Sequence, residues 1–275
     1  MTRRSRRAVA LLAGAAWLLI ITTSASGEPA GSWPPLLGPP EALSPEVSAA
    51  VERVWTAPTL RRRMHAPSAR VPLEVYRAFL DTPDVTAAAA RFLKLASYSV
   101  QVLDDDRYEA DDGDGARGFS QVLQRNPRRR AIFSKGEHTG PILGTVRGYA
   151  LTVLELEPRG DSVDAALTAD IYIDDRVAAG VARLLITSLG ALADRKLTEG
   201  LRTTAAVAEW AVDPSGSFCE WLARESFAAG RRSRIVAVLP SCARAGLPRA
   251  ARDPGSRHEV HIRYETHWRP PASKE

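Results

Sequence analysis

Short catalytic motifs are missing from this chain of 275 residues. None of the patterns G-x-S-x-G, G-x-x-x-x-G-K-[ST], C-x-x-C or H-E-x-x-H occurs in it. These patterns are typical of serine hydrolases, nucleotide-binding loops, thiol redox proteins and zinc proteases. The sequence therefore gives no motif-based support for these four classes, and we expect no cofactor.

A hydrophobic run long enough for a typical membrane span is missing at the N-terminus. The apolar run from Ala8 to Ile21 is shorter than the about 20 residues that such a helix needs. Four arginines precede this run and small residues follow it at positions 24–27, which is the order found in a secretory signal peptide. We therefore expect residues 1–27 to be cleaved and the mature protein to be secreted or periplasmic. An uncleaved membrane anchor and export by the twin-arginine route are the alternatives.

The charge balance is not that of a nucleic-acid-binding protein. The whole chain has 37 basic and 32 acidic residues, a net charge of +5, but residues 1–27 hold four arginines and no acid. The rest of the chain therefore has 33 basic and 32 acidic residues, a net charge of +1. We expect no nucleic-acid partner, and membrane contact only through an uncleaved N-terminal segment.

Cysteine is scarce, with Cys219 and Cys242 the two in the chain. In an exported protein two such residues can form a disulfide. Two separate buried thiols fit the sequence equally well, because spacing alone does not show whether the sulfur atoms meet.

Prolines mark the segment before the globular part of the chain. Residues 28–70 are predicted to be a proline-rich tether and a short helix, with Ser44 and Pro45 as its N-cap and first residue. Arg61 to Arg70 is expected to be a loop.

The rest of the chain divides into a domain and an extension. Residues 71–211 are predicted to form the domain, and residues 212–275 to be an extension that packs on it as extra strands or as a lid. Within the extension we expect a short helix near Phe218 to Phe227 and strands at Ile235 to Leu239 and at His258 to Trp268.

The domain shows three patterns in succession. Two short helical stretches come first and are separated at Pro83. Extended segments follow, and the last two, Ile142 to Leu156 and Val163 to Asp174, alternate cleanly between apolar and polar residues. An amphipathic helix from Asp175 to Trp210 comes last. This order predicts an α+β fold, in which a curved antiparallel sheet wraps around a long C-terminal helix.

In this order of elements the chain resembles the START-like superfamily, also called SRPBCC or helix-grip proteins, which includes polyketide cyclase-like and lipid-transfer members. The resemblance covers residues 71–211. It rests on the passage from paired strands into the long helix, GTVRGYALTVLELEPRGDSVDAALTADIYIDDRVAAGVARLL. The resemblance implies a hydrophobic cavity between sheet and helix for a lipid, sterol, polyketide or other apolar small molecule, and it implies no particular reaction.

The inward faces of the predicted strands are apolar but small, with several glycines and alanines. Small side chains leave volume that a ligand could occupy, although close approach of the helix would fill the same space. A cavity and a dry interface both remain open. If the cavity exists, we expect six residues to line it, namely Val146, Ala150, Leu154, Leu167, Ile171 and Leu184.

One glycine-rich segment matches two binding motifs without their context. Gly113, Gly115 and Gly118 spell G-x-G-x-x-G, but the acids before them would repel a pyrophosphate, so a hairpin is expected. Asp112 and Asp114 lack the remaining ligands of an EF-hand calcium loop.

Two histidine-containing clusters are also better explained without chemistry. His261, Glu265 and His267 would share one face of a strand, where a solvated polar surface is more usual than a zinc site. Glu137 and His138 form an acid–base pair in sequence, and an exposed turn explains them equally well. We therefore predict neither a metal site nor a catalytic residue.

Three functions remain open. The first, which we expect, is an exported carrier of a hydrophobic small molecule or lipid. The second is a cyclase-like enzyme that uses the same cavity, and the third is an envelope interaction domain without a cavity.

Overall fold

The computed structural model describes residues 33–140, 144–173 and 182–247. The predicted signal peptide and the predicted strand at His258 to Trp268 lie outside these ranges. None of the helices within them combines the length and the apolar character needed to cross a membrane.

Seven helices and seven strands follow one another in the described part of the chain. They are α1 (Pro45–Thr56), β1 (Leu60–His65), α2 (Leu73–Leu80), α3 (Pro83–Phe92), β2 (Ser99–Val102), β3 (Arg107–Asp111), β4 (Ala116–Asn126), β5 (Arg129–Gly140), β6 (Gly144–Arg159), β7 (Ser162–Ile173), α4 (Ala182–Val212), α5 (Ser217–Arg224), α6 (Ala229–Val238) and α7 (Pro240–Arg244). A 3-10 turn at Pro40–Ala42 precedes α1.

The strands form a single antiparallel sheet in the order β1-β7-β6-β5-β4-β3-β2. Six strands therefore follow the chain as a meander, while β1 pairs with β7 at the far edge. The helices α2 and α3 lie between β1 and β2 in the chain, and α4 follows β7. This is the topology of the helix-grip fold, so the predicted α+β class and the predicted resemblance are confirmed for the fold.

Local sequence explains where several elements begin. The hydroxyl oxygen of Ser44 accepts a hydrogen bond from the Val47 amide at 3.4 Å, and Pro45 occupies the first turn of α1, as predicted. Pro83 likewise begins α3. Gly160 has a φ of 59° in the turn between β6 and β7, a backbone region that glycine enters without steric cost.

Both faces of the sheet are covered, by different helices. The inner face packs against α2, α4, α5 and α6 in the larger core of the protein. The outer face carries a smaller cluster in which Val51 and Val54 of α1 pack against Phe133 and Leu151 of β5 and β6. Trp33, in the predicted tether, also packs against this cluster, so that end of the segment is not a free linker.

Helix α4 makes ion pairs with both ends of the strand order, with edge strand β1 and with the β3–β4 hairpin near the opposite edge. The sheet therefore curves around the helix. Arg62 on β1 pairs with Asp194, with 2.9 Å between Nε and Oδ1. On the other side, Lys196 Nζ lies 3.0 Å from Oδ2 of Asp112, at the end of the β3–β4 hairpin. A Cβ at Gly190 would lie 2.2 Å from a guanidinium nitrogen of Arg62, so the glycine leaves room for this arginine beside the helix.

The C-terminal helices α5 to α7 are part of the main core. Phe218, Leu222 and Ile235 are fully buried or nearly so, and a disulfide joins Cys219 to Cys242. The segment Ile235 to Leu239, predicted as a strand, belongs mostly to helix α6. The prediction was wrong because a short apolar run with β-branched residues reads the same in a buried helix as in a strand.

Two strands were not predicted from the sequence. The segment from Arg61 to Arg70, predicted as a loop, contains most of edge strand β1. Because this strand is mostly basic, its sequence does not show the alternation of apolar and polar residues that is typical of a strand. Its register with β7, from Leu60 opposite Ile171 to His65 opposite Ala166, extends the sheet to residues before position 71. Strand β3 was missed because its five residues follow a run of aspartates.

Candidate functional site

The candidate site is the middle of the inner face, opposite helix α4. Cross-strand pairing arranges the inward residues in rows that run across the sheet. Two neighbouring rows stand out, one of glycines and one of hydroxyl-bearing side chains. We call Gly118, Gly136 and Gly148 the glycine row, and Tyr108, Ser120 and Ser134 the hydroxyl row.

The glycine row crosses β4, β5 and β6 at directly paired positions. A Cβ at Gly118 would lie 2.6 Å from the Lys135 carbonyl oxygen, and one at Gly136 would lie 2.8 Å from that of Arg117. A Cβ at Gly148 would lie 2.5 Å from the carbonyl oxygen of Tyr172. Side chains are therefore excluded because the strands approach too closely, and the inner face has no side chains along this row.

The hydroxyl row lies beside the glycine row and continues into apolar residues. The phenol of Tyr108 is hydrogen bonded to Ser120, whose Oγ is 2.9 Å from the Oγ of Ser134. The row then passes through Ala150 on β6 and Ile171 on β7. Burial raises the pKa of Tyr108, because the charged phenolate is poorly solvated there, so the phenol stays protonated at neutral pH.

The middle of this face is less covered than the end that belongs to the main core. Ser134, Gly136, Gly148, Ala150 and Ile171 all remain partly exposed, although they point toward the side of the sheet on which α4 lies. These inward positions, most of them with small side chains, are therefore accessible to solvent.

The six predicted lining residues do not share one environment. Ala150 and Ile171 lie in the open middle of the inner face. Leu154 and Leu167 pair with each other four residues further along these strands and are buried in the main core. Val146 is buried toward the other end of β6.

The sixth of these residues, Leu184, is in α4, and its side chain is outside the described part. The role of all six in ligand binding stays a prediction.

Next to the hydroxyl row, the inner face closes around an ion-pair network. Arg130 is 3% exposed and binds Asp81 through two nitrogens, at 2.9 and 2.8 Å. Arg231 of α6 donates to the carbonyl oxygens of Asp81 and Asp104, at 3.1 and 2.8 Å. Arg231 thus joins α6 to the end of α2 and to the turn between β2 and β3, while Arg130 joins the same aspartate to β5. Removing one partner of such a buried charge would be strongly destabilising.

A cavity of about 30 Å³ lies within this network, bordered by Tyr108, Arg130 and Leu154. That is the volume of about one water molecule, so it is too small for an organic ligand.

Glu137 and His138 do not form an acid–base pair. Successive residues of a strand point to opposite faces, and the carboxylate of Glu137 lies on the outer face between Arg117 and Arg147, at 2.8 and 3.2 Å. The hydrogen bond from Arg117 is the main cause that lowers the pKa of Glu137. His138 is on the inner face, opposite Val146, and its buried Nδ1 has no hydrogen-bond partner among the described residues.

The aspartates of the glycine-rich segment stabilise the β3–β4 turn, in the hairpin that the sequence predicts. Asp112 accepts hydrogen bonds from the amides of Asp114 and Ala116 at 2.7 and 2.9 Å, and it pairs with Lys196. Gly118 is within strand β4, so the segment is a hairpin and not a phosphate-binding loop. Across the described ranges, no three side chains of His, Cys, Asp or Glu are grouped so that they could hold a metal ion.

A larger but open groove, of about 760 Å³, lies at the β6–β7 turn. Its charged residues pair with one another, as Arg129 does with Glu155 at 3.0 Å and Arg159 with Asp164. These pairs leave no unmatched charge to select a ligand, so the inner face is the better candidate site.

Neither a protein-family model nor a curated protein matches this chain. Solved structures do match about half of it. A conserved protein from Geobacillus kaustophilus aligns with 55% of this chain and 97% of its own, at 17% identity and a TM-score of 0.42. The protein TTHA0849 from Thermus thermophilus aligns with 56% of this chain and 100% of its own, at 17% identity and a TM-score of 0.40. Ara h 8.0201 aligns with 54% of this chain and 97% of its own, at 9% identity and a TM-score of 0.39.

The hydroxyl row and the ion-pair network were missed by sequence reasoning. Tyr108 lies on a strand that was not predicted, and Ser120 and Ser134 are common residues in segments without a motif. The signal that was available is the set of glycines inside otherwise regular strands, which indicates close backbone approach.

Proposed function

We propose that the protein is exported and that it binds a hydrophobic small molecule or a lipid between the inner face of the sheet and α4. The observation that carries the proposal is the open middle of that face. Partly exposed glycine, alanine and serine residues lie there, beside a region of the same face that is fully packed. Concave sites with mostly apolar walls and a few polar groups are typical of small-molecule binding.

Two observations support export. Residues 1–27 have the order of a signal peptide, and the cysteines at positions 219 and 242 are joined in a disulfide. Disulfides form and persist in oxidising compartments and are rare in the cytosol. Expression of the full chain, followed by N-terminal sequencing of the protein from the periplasm or medium, tests this part. A mature N-terminus between residues 24 and 30 supports export, and uncleaved protein in the cytosol contradicts it.

Ligand binding is tested with the neutral fluorescent probe N-phenyl-1-naphthylamine and with native mass spectrometry of the purified protein. Ala150 is at the centre of the open region, so Ala150→Trp should fill the site and lower probe affinity at least tenfold. Glu157→Trp is the matched control, because its side chain is 62% exposed and points outward from the same strand.

The two variants must be compared as folded proteins. Their circular dichroism spectra and unfolding midpoints should match those of the wild type within a few degrees. If the wild type binds neither the probe nor any copurified molecule, the proposal is wrong. It is also wrong if Ala150→Trp binds as well as Glu157→Trp does.

A further inference from the structure

We infer that the hydroxyl row selects ligands with a neutral hydrogen-bonding group, such as an alcohol or a ketone, on an otherwise apolar body. The inference rests on the proposed binding function, and it concerns the chemistry of the ligand. It is carried by Tyr108, Ser120 and Ser134, which lie side by side on three paired strands.

The hydroxyl row has more hydrogen-bonding capacity than it uses within itself. Each hydroxyl group has one proton to donate and can accept at oxygen. The two hydrogen bonds within the row, one between Tyr108 and Ser120 and one between Ser120 and Ser134, use two of the three protons. One donor and several acceptor positions are therefore left for another molecule.

The two serines of the hydroxyl row are accessible to a ligand. Ser120 and Ser134 are partly exposed, and each lies two residues from a member of the glycine row on the same strand and face. No side chain rises from Gly118 or Gly136, so ligand atoms that rest on the glycine row can come within hydrogen-bonding distance of the serines.

The arginines of the inner face are already paired with acidic side chains. Arg62 and Arg130 also point to the inner face, but Asp194 and Asp81 neutralise them. Arg125, whose charge acts on the tyrosine of the row, is likewise paired with acidic side chains. A ligand carboxylate placed beside the hydroxyl row would therefore meet hydroxyl groups and no unpaired arginine of these three. Taking such a charge out of water is costly without a partner, so a neutral group fits the row better.

Three probes that differ only at one end test the inference, namely 1-butylpyrene, 1-pyrenebutanol and 1-pyrenebutanoic acid. Binding to the folded wild-type protein is followed by pyrene fluorescence at neutral pH. We expect the alcohol to bind about three- to tenfold more tightly than the hydrocarbon, the effect of one hydrogen bond, and more tightly than the acid.

The variants remove hydroxyl groups with little change of shape. The double variant Ser120→Ala with Ser134→Ala should keep hydrocarbon binding and bring the ratio of alcohol to hydrocarbon affinity toward one. We expect the same of Tyr108→Phe, tested separately. The control is Thr139→Val with Thr145→Val, which deletes a hydroxyl pair with the same 2.9 Å separation on the exposed face of β5 and β6. These changes should leave the preference intact.

The possible results distinguish selection of a neutral hydrogen-bonding group from binding of a hydrophobic ligand as such. If all three probes bind the wild type equally, or if the acid binds best, the inference is overturned while the binding function stands. A preference for the alcohol that survives loss of the row's hydroxyls also overturns it. If no probe binds the wild type, the proposed function fails, and the inference fails with it.

Discussion

The inner face of the sheet has a packed end and an open middle, and the same strands build both. At the packed end, Leu154 and Leu156 of β6 are buried against fully covered aromatic residues, among them Tyr76 and Phe79 of α2. Four to eight residues earlier on the same strand, Gly148 and Ala150 are small and partly exposed. The difference lies in the size of the side chains, because pairing and direction of the strands are the same.

This difference separates stability from binding along one element. Dispersion and burial of apolar surface stabilise the packed end, where few voids remain. The open middle contributes little buried area, and ion pairs from β1 and from the β3–β4 hairpin hold α4 beside it. Substitutions at the packed end should therefore change stability, and substitutions in the open middle should change binding.

The largest effect is expected from Phe218→Ala at the packed end. Phe218 is 1% exposed and contacts Phe79 and Trp210 edge to face, with ring centroids 5.5 and 5.0 Å apart. Its removal leaves a cavity, and we expect the free energy of unfolding to fall by about 3–5 kcal/mol in urea titrations. Probe affinity should not change under conditions where the variant is folded.

A matched control for this variant is Phe92→Ala. Phe92 stacks on Trp210 at 5.5 Å but is 54% exposed, so its loss should cost about 1 kcal/mol or less. Equal losses from both variants would show that the aromatic cluster, and not burial at the packed end, holds the helices together.

A smaller loss of stability, but a change of binding, is expected from Gly118→Ala in the open middle. The new methyl group would lie 2.6 Å from the Lys135 carbonyl oxygen and 2.9 Å from the Gly136 Cα, so the strands must move apart. We expect about 1–3 kcal/mol of destabilisation, together with weaker binding of N-phenyl-1-naphthylamine. Urea titration and fluorescence measure the two effects on the same samples.

Gly200→Ala is the opposite control, since it is an exposed position in helix α4 with no atom within 4 Å of the added Cβ. There alanine should stabilise the protein by about 0.5–1 kcal/mol and leave binding unchanged. If Gly118→Ala is tolerated in the same way, the glycine row does not set the shape of the inner face.

Sequence patterns were sufficient for the elements whose periodicity is strong. The alternation in β6 and β7, the cap of α1 at Ser44 and the break at Pro83 all gave elements that the structure contains. In each case a local rule of backbone geometry or hydrogen bonding decides the outcome. Such rules act over a few residues, so one sequence is enough to apply them.

Long-range pairing is what the sequence could not give. Strand β1 is recognisable only through its partner β7, about 100 residues later in the chain, because its own residues are mostly basic. The hydroxyl row has the same origin, since its members become neighbours only when β3, β4 and β5 pair in one register. The lining residues were chosen by alternation alone, which assigns a face but not a depth, and so it grouped Ala150 with Leu154.

The smallest effect is a shift in the titration of Tyr98, next to the packed end. Burial, with a smaller contribution from Glu199, raises the pKa of Tyr98 to about 12, because the neutral phenol is favoured over the phenolate there. The unfolded chain should ionise near its ordinary value of about 10. The contribution of Tyr98 to stability is therefore constant from pH 7 to about 10, and it is lost as the pH rises from there toward 12. A pH jump followed at 295 nm before unfolding, with Tyr98→Phe subtracted, should show the group titrating near 12, and a transition near 10 would mean that solvent reaches the packed end.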